Sequence, residues 1–145
     1  MADVHSSEVR SFNMSQIKGK DTKPEQIVRK YLHKLGYRFR LHVKDLPGKP
    51  DIVLPKYKTI IFINGCFWHG HHGCRYFKVP KTRSDWWLNK INGNVSRDLK
   101  NEQTLIRAGW KVVVIWECGL KRNNLHETFV YLLNIINTSN KSNEF

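Results

Sequence analysis

"DIVLPKYKTIIFIN", residues 51–64, holds two apolar runs separated by a short polar turn. The first, "DIVL", opens directly after Pro50 and the turn sequence "LPGKP". The second, "TIIFIN", is a continuous apolar run, the pattern of a strand buried on both faces at the centre of a sheet. Laid side by side, the two runs put Asp51 at the mouth of one strand and bring Ile63, Asn64 and the residues beyond them close to it.

The elements on either side of this pair extend the pattern. "DTKPEQIVRKYLHKLG" has the signals of a helix start: Asp21 or Thr22 to cap it, Pro24 in the first turn and Glu25 at the positive end of the dipole. Ile27, Val28, Tyr31, Leu32 and Leu35 form its apolar stripe, and Gly36 can end it. "YRFRLH" alternates as a half-buried strand should. A helix is expected from about Ser84 to Ala108, loosened near Gly93, followed by a buried-type strand "KVVVIWE" and a closing helix "NLHETFVYLLNIIN". The order α, three strands, α, strand, α predicts an α/β fold with a central mixed sheet flanked by helices. Residues 1–145 are expected to form a single domain, with a weakly helical arm at 1–20 and a fraying tail at 139–145.

Lys and Arg outnumber Asp and Glu by 25 to 12, a formal net charge of +13 that favours a polyanionic partner, nucleic acid first. Five Trp and seven Phe fit the same partner, because aromatic rings stack on bases or wedge between them. "MADVHSSEVRSF" has no apolar signal region and no segment reaches membrane-span length, so neither a membrane nor secretion is expected. Three Cys in such a chain point to a reducing cytoplasm, where clustered Cys more often bind metal or do chemistry than pair.

"GCFWHGHHGC", residues 65–74, concentrates those Cys among histidines and aromatic rings. Cys66, His71 and Cys74, joined by Cys118 from the end of a later strand, make a Cys₃His set suited to tetrahedral Zn²⁺. Four protein ligands leave no open position, so the zinc is read as structural. His72 is an alternative to His71, and His69 is left over. On the acidic side, Asp51 at a strand start with a ligand from the next strand is how many nucleases hold Mg²⁺, a hard cation that keeps waters and takes carboxylate and carbonyl oxygens. By itself an Asp after Pro is an ordinary turn residue, and Glu25 an ordinary first-turn residue.

Taken together, "RSFNMSQIKGKDTKPE", "LPGKPDIVL", "IFINGCFWHGHHGC", "FKVPKTRSDWW" and "GWKVVVIWEC" resemble the very-short-patch mismatch-repair endonucleases, the Vsr family, in order and over about Val9 to Leu120. The resemblance implies a restriction-endonuclease-like core with Mg²⁺ at one edge of the sheet and a structural zinc nearby. It implies nicking of double-stranded DNA 5′ to the thymine of a T:G mismatch, the product of 5-methylcytosine deamination, and hence a cytosine-5 DNA methyltransferase as functional companion. Residue by residue it implies Asp51 as the essential Mg²⁺ ligand, Ile63 as a main-chain carbonyl ligand, His69 as general base or orienter, and Glu25 as support through the water network. Phe67, Trp68 and Trp86 match aromatic residues that wedge into DNA from the major groove, and Met14 one that approaches from the minor groove. Asn64 stands where some members have His; an amide can hydrogen-bond a phosphate but cannot shuttle protons near neutrality.

Lys18, Lys20, Lys78, Lys81, Arg83 and Lys90 are candidate phosphate contacts, which as a group would make binding weaken steeply with salt. No extended hydrophobic seam is evident, so a monomer is expected, in the bacterial cytoplasm on the nucleoid. Two other functions fit parts of the pattern: a zinc-stabilised DNA-binding module without catalysis, and a restriction-type enzyme that cuts both strands.

Overall fold

The computed structural model describes residues 22–138. Helix α1, Lys23–Lys34, starts where its sequence signals place it. Thr22 is the cap: its Oγ1 accepts from the Glu25 N–H at 3.4 Å, and Glu25 Oε2 accepts from the Thr22 N–H at 2.7 Å. This capping box satisfies two helix-end donors and also locks the Glu25 carboxylate in place. Val28 and Leu32 are fully buried, whereas Leu35 is 49% exposed. The apolar stripe ends a turn earlier than its sequence spacing suggests, because Leu35 is the C-cap and Gly36, at φ 86°, turns the chain away.

The sheet has four strands in the order β1-β2-β3-β4, from β1 (Arg40–Leu41), β2 (Ile52–Leu54), β3 (Thr59–Asn64) and β4 (Lys111–Trp116). β1, β2 and β3 pair antiparallel and β3 pairs parallel with β4, so the sheet is mixed as expected. β1 is shorter than the alternation in "YRFRLH" suggests: pairing begins only at Arg40, and His42 at φ 50° ends it. A single 3₁₀ turn, Pro55–Tyr57, joins β2 to β3 through Lys58 at φ 50°. The parallel β3–β4 pair requires a crossover, and α2, Ser84–Arg107, supplies it as an unbroken helix of 24 residues. Gly93 does not loosen that helix.

The two faces of the sheet carry separate cores. Ile52, Leu54, Ile61, Val113 and Ile115 pack with Val28 and Leu32 of α1 and with Phe129, Leu132 and Ile136 of α3 (Leu125–Asn137). Val53 and Ile60 face the other way, against Leu105 of α2, with Phe62, Trp110 and Val112 around them. Each fully buried Leu or Ile contributes roughly 1.5–3 kcal/mol. At the sheet's far edge Lys111 is buried, and its ammonium donates to the main-chain carbonyls of Ile135, Ile136 and Thr138 at 2.8, 2.7 and 2.5 Å. It thereby closes the C-terminus of α3, where unpaired carbonyls favour a cation. Among the described residues no helix is long and apolar enough to cross a membrane.

Candidate active site

Antiparallel pairing of Ile52 with Ile61 brings Asp51 beside the C-terminal end of β3. Asp51 Oδ2 accepts from the main-chain N–H of Ile63 at 2.7 Å, so the two residues the sequence pairs at this edge do meet. Glu25, 3% exposed, reaches the same spot from the first turn of α1. Glu25, Asp51 and His42 each offer a donor atom, all within 4.8 Å of one another. Arg29 Nη2 lies 3.8 Å from Glu25 Oε2 and 2.9 Å from His42 Nε2. Burial, then the hydrogen bond shared with Glu25, pushes the Asp51 carboxyl up to about 7, against the pull of the Ile63 N–H and the Arg29 charge. A buried carboxyl that resists ionisation in isolation, with a second carboxyl group beside it, is a good host for a hard divalent cation, whose charge reverses the balance.

This cluster opens into a cavity of about 630 Å³ that also takes Asn64, Trp68, His69 and Asp98 into its wall. Five of the twelve acidic residues of a chain with net charge +13 line it: Glu25, Asp51, Asp98, Glu102 and Glu117. The cavity is therefore a negative pocket in a positive protein, built to attract a cation where the rest attracts an anion. Asn64, 6% exposed, ends β3 at its floor.

His69 lines the same cavity as Asp51 and is held by a residue the sequence reading did not single out. Its Nδ1 lies 2.6 Å from Asp98 Oδ2, a short contact that fixes Nδ1–H as donor and leaves Nε2 as the acceptor. Asp98 belongs to α2, where Asn94, Asp98 and Glu102 interrupt the buried stripe between Ile91 and Leu105. Polar side chains at four-residue intervals on a core-facing stripe are the signal that could have found it. Burial, with the neighbouring Asp98 charge, pushes Glu102 upward.

The Cys/His loop turns back on itself through main-chain bonds from His69 to Gly65, His71 to Cys66 and Cys74 to His71. Cys118 enters from the 3₁₀ turn Glu117–Leu120 that follows β4. Donor atoms of Cys66, His71, Cys74 and Cys118 all lie within 4.8 Å of one another, and all three Cys are free thiols. His71 belongs to this group, whereas His72 is exposed and outside it. His71 Nδ1 is 3.4 Å from Cys118 Sγ, and its ring stacks on Trp116 at 4.1 Å. Burial pushes the Cys66 thiol up to about 12 and raises Cys118, while the same effect pulls His71 down. Cys74 is drawn down: burial opposes its ionisation, but the Tyr76 N–H and the other two thiols outweigh it. Three crowded thiols and an imidazole, with N–H donors from Cys118 and Tyr76 aimed at sulfur, fit a soft four-coordinate divalent ion.

Phe67 and Trp68 rise from the loop between these two centres, half-buried and edge to face at 5.2 Å. The ring that joins them is Trp87, at 5.3 Å from Phe67 and 5.7 Å from Trp68. Trp86, the residue picked from sequence, stands outside, 48% exposed, with its edge on Trp87 at 4.8 Å and the Arg83 guanidinium over it at 5.4 Å. Asn94 Nδ2 donates to the Trp68 carbonyl at 2.8 Å, and Gly70, at φ 61°, lets the loop lie on α2: a Cβ there would come within 2.7 Å of Ile91 Cγ2. Lys78, Lys81, Arg83 and Lys90 are all exposed, while Met14, Lys18 and Lys20 lie outside the described residues.

The comparisons with known proteins agree with this arrangement. A model of the family "DNA mismatch endonuclease Vsr" matches residues 2–75. The chain is 52% identical over 120 residues to the type II nicking enzyme V.XorIIP of Xanthomonas oryzae pv. oryzae, covering 83% of this chain and 88% of that protein. It is 52% identical over 121 residues to the type II nicking enzyme V.NmeAIP of Neisseria meningitidis serogroup A, covering 83% and 86%. With the DNA mismatch endonuclease Vsr of Escherichia coli K12 it shares 46% identity over 121 residues, covering 83% and 77%. The chain belongs to the Vsr family of DNA mismatch endonucleases.

Proposed function

We propose that this protein nicks one strand of duplex DNA on the 5′ side of the thymine in a T:G mismatch, with Mg²⁺ at Asp51 and structural Zn²⁺ at Cys66, His71, Cys74 and Cys118. The observation that carries this reading is a single cavity with the Glu25–Asp51 pair and the His69–Asp98 pair in its wall, one residue along from an aromatic cluster. A carboxylate pair and an oriented imidazole are what phosphodiester hydrolysis needs, and the aromatic rings are what a duplex with a weak pair would admit. The names of the relatives, nicking enzymes and a mismatch endonuclease, favour one cut strand and a mismatch target.

The Asp51 carboxylate and the Ile63 carbonyl would hold Mg²⁺, which would supply charge neutralisation at the phosphate and lower the pKa of water there. Glu25, fixed by its capping box, holds the surrounding water network. His69 Nε2 takes or orients the proton of the attacking water, and Asp98 keeps the ring in the tautomer that allows it. Asn64 donates its amide N–H to a phosphate oxygen. Cleavage leaves a 3′-hydroxyl and a 5′-phosphate.

Phe67 and Trp68, with Trp87 behind them and Trp86 at their rim, enter the stack from the major groove, and Met14 approaches from the minor groove. Unstacking costs a few kcal/mol and costs least beside a pair that is already imperfect, which favours T:G over T:A before any base edge is read. Lys18, Lys20, Lys78, Lys81, Arg83 and Lys90 contact phosphates. The zinc clamp supplies the rigidity that half-buried rings on a loop lack. The enzyme acts as a monomer in the cytoplasm, downstream of a cytosine-5 methyltransferase whose deaminated product it meets.

The test uses two duplexes that differ only in T:G against T:A, each strand labelled separately, with and without Mg²⁺, in several methylation-type sequence contexts. A Mg²⁺-dependent nick confined to the thymine strand of the mismatch supports the proposal. Breaks in both strands of the T:A duplex would instead make the chain a restriction-type enzyme. Binding without a nick in any context would make it a DNA-binding module.

A further inference from the structure

His42 has no part in the catalysis described above, yet the backbone is strained to present it. It sits at φ 50°, a left-handed conformation that is strained for a residue with a side chain. Its main-chain N–H donates to the Asp51 carbonyl at 3.1 Å, one step beyond the Leu41–Ile52 pair, so the strain and the pairing together seat it beside Asp51. One of its ring nitrogens lies within 4.8 Å of a carboxylate oxygen of Glu25 and of Asp51. The charged group next to these donors is Arg29, whose Nη2 is 2.9 Å from His42 Nε2 and 3.8 Å from Glu25 Oε2. A guanidinium can only donate, so Nε2 must turn its lone pair toward that positive charge. The imidazole and the carboxylate thus already face a cation together.

We propose that His42 is a nitrogen ligand of the Asp51 cation centre, which therefore binds Mn²⁺ in preference to Mg²⁺. The inference rests on reading Glu25 and Asp51 as the cation site. Mg²⁺ demands oxygen donors and gains little from an imidazole, whereas divalent first-row transition ions accept nitrogen and oxygen in one shell. An entering ion competes with Arg29 for the Glu25 carboxylate, so Arg29 sets the affinity from the opposite side.

The experiment measures Mn²⁺ binding to the full chain from the electron paramagnetic resonance signal of free Mn²⁺, with Mg²⁺ as competitor. His42→Asn removes the imidazole but keeps a residue that tolerates the left-handed backbone. Its Mn²⁺ affinity is expected to fall about tenfold or more, with Mg²⁺ affinity held within about twofold. The nitrogen modulation in the pulsed spectrum of bound Mn²⁺ is expected in the wild type and lost in this variant. Arg29→Gln is expected to tighten Mn²⁺. If Asp51→Asn abolishes Mn²⁺ binding while His42→Asn changes neither affinity nor spectrum, the cation site stands and the role of His42 falls. If Asp51→Asn leaves Mn²⁺ binding intact, the cation site itself is wrong and this inference falls with it.

Discussion

The two donor clusters lie on either side of the same loop and answer the same electrostatic problem in opposite ways. In each, burial and crowding push acids upward: Cys66 to about 12 in the sulfur cluster, Asp51 to about 7 in the oxygen cluster. The sulfur cluster has four donors from a short loop and the end of β4, with Trp116 stacked on His71, so an ion there is coordinatively complete. The oxygen-rich cluster has three donors, from α1, the residue after β1 and the residue before β2, and its Glu25 and Asp51 line a cavity of about 630 Å³. A closed shell fixes shape, and an open one leaves room for water and phosphate. Ligand count and access, more than acidity, separate the closed sulfur cluster from the open one.

Cys118→Ser tests that division most severely, because it removes the one ligand that ties the loop to β4. Structural zinc of this type contributes on the order of 10 kcal/mol to folding. Bound zinc is expected to drop well below one per chain and the thermal midpoint to fall by about 10 °C or more. Metal analysis and calorimetry would check both. Full zinc content and an unchanged midpoint would mean that three ligands suffice and that the sulfur cluster is not closed.

Asp98→Asn probes the reactive side, with a smaller effect. The amide can still accept from Nδ1–H but no longer fixes the tautomer by charge. The single-turnover nicking rate on a T:G duplex is expected to fall about 10²- to 10³-fold, with zinc content and DNA affinity unchanged. A rate within about threefold of wild type would make the His69–Asp98 contact structural. Parallel loss of zinc would mean that the two centres are not separable, which breaks the comparison itself.

Both donor clusters were legible in part because their key residues sit where local signals are strong. Asp51 follows a turn at a strand start, Glu25 completes a capping box, and the Cys spacing stands out against a chain with only three. What stayed hidden is what depends on rotation or on distant packing. Trp86 and Trp87 are neighbours roughly 100° apart around a helix, and only the seating of α2 on the loop decides which ring meets Phe67. His42 carries no local signal of function and Asp98 only its place among polar residues on a core-facing stripe, since His42 acquires Asp51 across 9 residues of chain and Asp98 acquires His69 across 29. The fold shows the same limit. The strand and helix order was legible from periodicity, but the early end of β1 and the exposure of Leu35 follow from left-handed turns at His42 and Gly36 that periodicity does not report.

The smallest expected effect separates the clusters by the sign of their response to pH. An Asp51 carboxyl at about 7 in the folded protein and near 3.8 when unfolded binds its proton more tightly in the native state. Its neutral form therefore favours folding fully below about pH 4, and that contribution is lost as pH rises from about 4 to about 7. Glu102, also raised by burial, adds to the same slope. His71 acts in the other direction: burial lowers it, so the folded state resists its protonation and stability falls as pH drops below the ordinary imidazole range. With the zinc site filled and no other divalent cation present, the thermal midpoint should decline between pH 4.5 and 7.5, and Asp51→Asn should flatten the decline. At pH 7.5 the variant should melt about 3 °C or more above the wild type, and a saturating divalent cation should close the gap by binding only the ionised wild-type site. A wild-type midpoint that rises across this window, or an Asp51→Asn midpoint that falls below it at pH 7.5, would mean that the carboxylate is satisfied within the protein and that the open centre has no electrostatic demand for an ion.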